Sequence, residues 1–298
     1  MTEVIHPDRP GLLRRIVSHP GALIVLEGGG LVLALSLAST ALHALHLPRN
    51  APITALVGPT LAIMVILTYT YLVRWLERRP ALEFAWPGAA RELGLGLLTG
   101  TALFSIATLA VWMLGGIEFL GVRGMGQLWS MIVLAFISGF FEETLFRGIV
   151  FRHVETMFGT WAALALTSAF FGAAHIFNPD ATWFSAFAIM LEAGILLGAA
   201  YLLTRRLWLA IGIHMAWNFT QGWVFSIPVS GGEVPLGLLI TRRIGPDWLT
   251  GGAFGLEASA VAVAVATLAG VLLLRRAIQR DGTRPPFWVT KAGSQTKL

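Results

Sequence analysis

Cysteine is absent from the 298 residues. That excludes disulfides and any zinc site built on thiolates, and leaves His, Glu, Asp and Asn as the available ligands. Charge is scarce too: 12% of residues are charged against 56% hydrophobic, and mean hydropathy is +0.73. Soluble domains carry roughly 25% charged residues, so this composition excludes one. No short apolar core followed by a small-residue cleavage site occurs near the N-terminus, so the first apolar run reads as a retained helix. Internal repeats are not visible.

What is present is a series of apolar runs of about 20 residues, the length a membrane span requires. Eight can be drawn, at 21–45, 53–75, 93–115, 127–151, 160–178, 183–204, 207–226 and 253–275. Pro48, Pro52, Pro80, Pro87, Pro179 and Pro246 all fall between them, where chain-breaking residues belong. The expected fold is therefore all-α, a polytopic membrane protein with a single bundle of about eight helices. Its parts are an N-terminal segment 1–20, a transmembrane domain 21–275 and a basic tail 276–298. The longest connection, 226–252, is expected to gate access from one side.

The formal charge of +5 and pI near 10.4 suggest nucleic acid only until the charges are located. They lie in short loops, with 17 of the Lys and Arg residues on one side of the eight spans and 4 on the other. The positive-inside rule then places both termini in the cytoplasm, with the lipid bilayer as the partner and no nucleic acid.

A few polar groups interrupt the spans. Glu142, Glu143 and Arg147 sit inside the fourth, where an ionisable residue costs about 2.5–3.5 kcal/mol on insertion scales and marks a functional site by default. Glu143 and Arg147 are i,i+4 neighbours, suited to a structural ion pair. Glu142 is turned about 100° away and is left free for chemistry. His175 follows Phe171 by one turn in span five, and His214 and Asn218 share a face in span seven. Taken singly, His175 reads first as a hydrogen-bonded packing residue and His214–Asn218 could join helices, whereas the second acid of the doublet would be an uncompensated cost if it were only helix glue. Glu27, Glu192 and Glu257 are read as helix contacts or cavity-lining groups.

Together, Glu-Glu-x-x-x-Arg at 142–147, Phe-x-x-x-His at 171–175 and His-x-x-x-Asn at 214–218 resemble the CAAX protease and bacteriocin-processing (CPBP, or Abi) family of intramembrane endopeptidases. The resemblance spans about 125–222. It implies peptide hydrolysis near the cytoplasmic face, with Glu142 as the base that activates water and His175 helping to bind it. His214 and Asn218 would hold the oxyanion, Glu143 and Arg147 would form the structural pair, and Phe171 would line the cavity. The implied partner is a membrane protein or peptide substrate, and in a bacterial host the location would be the plasma (inner) membrane.

Glu142, His175 and His214 also make up a His₂Glu donor set for zinc. No His-Glu-x-x-His helix accompanies them, so the reading favours a glutamate protease without cofactor. A proton-coupled transporter is the competing class, since buried Glu and His also mark proton relays. A non-catalytic scaffold or immunity protein of the same fold is another.

Overall fold

The computed structural model describes residues 12–48 and 50–289. The expected N-terminal segment and basic tail lie partly outside the described residues. The chain is an integral, multi-pass helical membrane protein. Among the described residues, six helices are long and apolar enough to cross a membrane. We label the helices α1 (Pro20–His43), α2 (Pro52–Glu77), α3 (Ala89–Met113), α4 (128–158), α5 (160–177), α6 (Trp183–Thr204), α7 (208–224) and α8 (Ala260–Asp281).

Helices α4 and α5 form one helical run, Leu128–Phe177, broken where Gly159 adopts φ 80° and ψ 172°. That left-handed φ suits glycine, and a Cβ there would sit 2.7 Å from the Arg284 carbonyl oxygen. The helix through Glu142 thus runs on to residue 158, past the expected end at 151.

This break sets the depth of the site. Arg147 and Phe171 each lie 12 residues from Gly159, on opposite sides of the break, and the guanidinium stacks 4.7 Å from the Phe171 ring centroid. Phe146 meets the same ring edge-on at 4.8 Å. Continued in that antiparallel register, Glu142 and His175 fall at the same level, 17 and 16 residues from Gly159. The extension of α4 to residue 158 is what brings the two to one level.

Local chemistry starts and stops the helices. Thr182 and Ser185 form a capping box at the start of α6, and the Ser259 hydroxyl accepts from Ala262 N at the start of α8. Asn50, from the α1–α2 connection, accepts through Oδ1 from Trp129 N at 3.1 Å and so caps α4. Left-handed Arg78 and Arg205 end α2 and α6. Four helices contain π-helical turns: Val73–Glu77 in α2, Ile137–Glu142 and Thr144–Phe151 in α4, Met190–Gly194 in α6 and Thr220–Val224 in α7. Such turns concentrate at functional sites, and here they carry Glu77, Glu142, Glu192 and Gln221.

Helices α3 and α7 pack backbone to backbone. A Cβ on Gly212 would lie 2.9 Å from the Gly96 Cα and 2.9 Å from Leu97 N, the close approach that small residues permit between membrane helices. This contact seats α7, and with it His214. Gly212→Val should therefore lower thermal stability by about 1–3 kcal/mol through overpacking. Unfolding of purified protein in detergent measures it.

The α3–α4 and α7–α8 connections hold a two-stranded antiparallel ribbon, Ile117–Val122 with Leu239–Arg243, bulged between Phe119 and Gly121. The connection expected to act as a free gate is thus tied down along part of its length. Sequence reasoning also drew the tail from 276, but α8 continues to Asp281. Beyond it, Arg284 N donates to the Thr160 hydroxyl at 2.8 Å and Thr160 N donates back to Arg284 O at 3.0 Å. Trp208 opens α7. It is buried, not interfacial, and donates from Nε1 to Ala85 O at 3.0 Å.

Candidate active site

The site is built on α4. Glu143 is fully buried, and its Oε1 accepts from Arg147 Nη1 at 2.9 Å. The same oxygen faces His214 Nδ1 at 2.8 Å. A carboxylate can only accept, so the imidazole donates its Nδ1–H. Glu143 is thus the shared partner of Arg147 and His214, a role that helical spacing alone had not assigned to it. The second nitrogen of the ring, Nε2, is turned to Glu142, 4.0 Å from its Oε2.

Arg147 ties the site together. Its Nη2 donates to Ala193 O on α6 at 3.0 Å while its face covers Phe171 on α5. One guanidinium therefore contacts three helices, and it is 2% exposed.

Glu142 is the more open of the two acids, with a side chain 27% exposed. Its Oε2 is nevertheless buried and has no hydrogen-bond partner. An orphaned buried carboxylate oxygen is costly unless a water or ligand meets it.

The remaining residues bound an adjacent cavity of about 30 Å³, lined in part by Phe171, His175, His214 and Asn218. One water needs roughly 10–15 Å³, so the space is large enough for water. Glu142 is not part of that lining. His175 Nδ1 contacts the Phe171 carbonyl at 2.7 Å, so the proton sits on Nδ1 and Nε2 is the free nitrogen. Asn218 Nδ2 donates to the Ser138 hydroxyl at 2.9 Å. Ser138 is a member that sequence reasoning missed, although it lies one turn before Glu142 on the same face. Glu192, Ser230 and Glu257 complete the polar part of the lining, and of these Ser230 had no signal in the sequence.

The zinc alternative was tested against the same geometry. Among the described residues, the one group of three donors within 4.8 Å of one another is Glu27, Glu77 and His153. Glu142, His175 and His214 are not gathered to that degree, although each imidazole bonds a carboxylate or carbonyl through Nδ1 and leaves Nε2 available, the arrangement metal-bound histidines also use.

The Glu27 group is itself filled by a guanidinium. Arg152 Nη2 lies 3.1 Å from Glu27, 2.7 Å from Glu77 and 3.1 Å from His153. Arg79 joins Glu77 to Glu83, at 3.1 and 2.9 Å. Glu27, which had no evident partner in sequence, is thus part of an ion network linking α1, α2 and α4.

Neither a curated protein nor a solved structure matches the chain. Residues 124–220 do match a family, and every site residue named from the sequence falls within them. On a polytopic helical scaffold, that match supports an intramembrane protease of the CAAX type in general. The segment carrying Glu142, His175, His214 and Asn218 is similar to the family described as type II CAAX prenyl endopeptidase Rce1-like, whose match spans about a third of the chain.

Proposed function

We propose that the protein is an intramembrane endopeptidase in which Glu142 activates water for attack on a peptide bond. The observation that carries this reading is the orphaned, buried Oε2 of Glu142 beside a histidine whose other nitrogen is anchored on Glu143. Glu142 takes a proton from water, and the hydroxide adds to the scissile carbonyl carbon. His214 Nε2 and the second Asn218 Nδ2–H then donate to the oxyanion. The C–N bond breaks, and the leaving amine takes the proton held by Glu142.

For His214 to donate from Nε2 while it donates from Nδ1, the ring must be an imidazolium. Carboxylates on both sides, Glu143 and Glu142, pair that charge. His175 Nε2, free of partners, accepts from the attacking water and orients it.

Membrane placement follows from the basic residues: both termini, with the Gly159 break, are cytoplasmic, and eight helices cross. Glu142 lies ten residues before Arg152 on α4, about 15 Å of helix. The proposed site is therefore near mid-membrane, deeper than cleavage close to the cytoplasmic face requires. The lack of native cysteine makes the topology directly testable. A membrane-impermeant thiol reagent should label Gly282→Cys from the cytoplasm and Gly124→Cys from the opposite side. Labelling of both from one side contradicts the eight-span reading.

The substrate class is tested with purified protein in liposomes and quenched membrane-embedded peptides, with and without a prenylated C-terminal Cys-a-a-X end. Cleavage located by mass spectrometry supports the protease reading. Intact peptides in both series, together with proton-coupled solute uptake, would establish the transporter instead.

A further inference from the structure

Two acids, Glu192 and Glu257, also line the cavity, and they differ in one respect. Glu257 is spoken for: it accepts from Ser230 N and from Gln221 Nε2. Glu192 is 2% exposed, lines the same cavity, and its Oε2 is buried with no hydrogen-bond partner. A buried carboxyl oxygen kept open towards a cavity is an acceptor waiting for a donor.

Its placement is controlled. Glu192 sits on the π-turn Met190–Gly194. Two close approaches fix that turn: a Cβ on Gly172 of α5 would lie 2.8 Å from Met190 Cβ, and one on Gly194 would lie 2.7 Å from the Ser168 hydroxyl. The neighbouring Ala193 carbonyl is held by Arg147, the residue that also holds Glu143. One guanidinium therefore sets the spacing between the Glu143–His214 pair and Glu192. The π-turn packs mainly on α5 and α8, whereas the His214 stretch packs on α3, α4 and the second half of α6. The two walls meet across the cavity.

A trans peptide bond points its C=O and N–H in opposite directions. A scissile bond whose oxygen is held by His214 and Asn218 turns its N–H to the other wall. Resting on the protease reading above, we propose that Glu192 is a substrate-positioning residue whose free carboxyl oxygen accepts the N–H of the scissile peptide bond. It thereby orients the carbonyl towards the water on Glu142 and retains the amine as it leaves. The site consequently prefers a secondary amide with a free N–H at the cleaved position, which excludes cleavage before proline.

The test compares a peptide substrate with its depsipeptide analogue, in which oxygen replaces the scissile N–H, in wild type and Glu192→Leu. The expected result is a loss of about tenfold in kcat/KM on the amide, the scale of one hydrogen bond, and no loss on the ester. Equal losses on both substrates would overturn the inference while leaving the protease reading intact. A wild type that cleaves neither substrate would overturn both. Glu192→Gln serves if the leucine variant does not fold. It is expected to lose activity on the amide only, by a smaller factor, and an equal loss on the ester again overturns the inference.

Discussion

Glu142→Gln is expected to cut hydrolysis by about a hundredfold to ten-thousandfold, the range attributed to a positioned general base. The amide is close in size to the carboxylate, so the variant should fold normally. Glu142 has no hydrogen-bonding partner on Oε2 that the change would strand, and its side chain is the more exposed of the doublet. The effect should appear in kcat with KM little altered, because the residue acts on water and not on the peptide. Steady-state cleavage of a quenched membrane peptide reads both quantities. Undiminished cleavage would remove Glu142 from the reaction.

Glu143→Gln should behave in the opposite way. It leaves Arg147, 2% exposed, without its counter-ion, and the same change removes the charge beneath His214. Breaking one side of a buried pair typically costs about 3–5 kcal/mol. Low yield and an early melting transition are the expected readouts, and a variant as stable as wild type would contradict the pairing.

The second large effect lies away from the site. Arg152→Met should destabilise the fold by about 3–5 kcal/mol, because three acids converge on one guanidinium. Arg152 Nη1 meets Glu77 at 2.6 Å, Nη2 meets Glu27 at 3.1 Å and Nε lies 3.6 Å from Glu83. Glu27 is fully buried on α1, and without Arg152 it is left beside His153 and a second acid, Glu77. Adding Glu27→Gln to Arg152→Met should restore part of the loss, since it discharges the stranded acid. Thermal unfolding of the single and double variants measures the coupling. Identical transitions in wild type and Arg152→Met would show that the network contributes nothing to stability.

The contrast between the two charged groups explains what was legible in the sequence. Glu143 and Arg147 are four residues apart on one helix, so helical spacing brings them together without knowledge of the fold. Glu27, Glu77 and Arg152 are on three different helices, and nothing in spacing links them. The helical membrane architecture was legible because span-length apolar runs separated by proline and arginine leave few alternatives.

Gly159 was harder to read. A glycine between apolar runs marks a break, but its effect on register appears only once Phe146 and Arg147 are seen against Phe171. The π-turns were also hidden, because no residue pattern distinguishes a five-residue hydrogen-bond step from a four-residue one. Those turns set the directions of Glu142 and Glu192, so the division of labour among the acids needed coordinates. Trp208 shows the limit of compositional rules: a tryptophan near a span end suits an interface, yet here it fills the space beside Phe84 and Phe140.

The central claim is that a carboxylate, oriented towards a histidine held by a second carboxylate, activates the water. The most direct measurement is the cleavage rate of wild type and Glu142→Gln after exhaustive chelation, with metal content determined on the same samples. The account predicts that metal-free wild type keeps its full rate and that metal-free Glu142→Gln stays inactive. A wild type silenced by chelation and restored by stoichiometric zinc would contradict it.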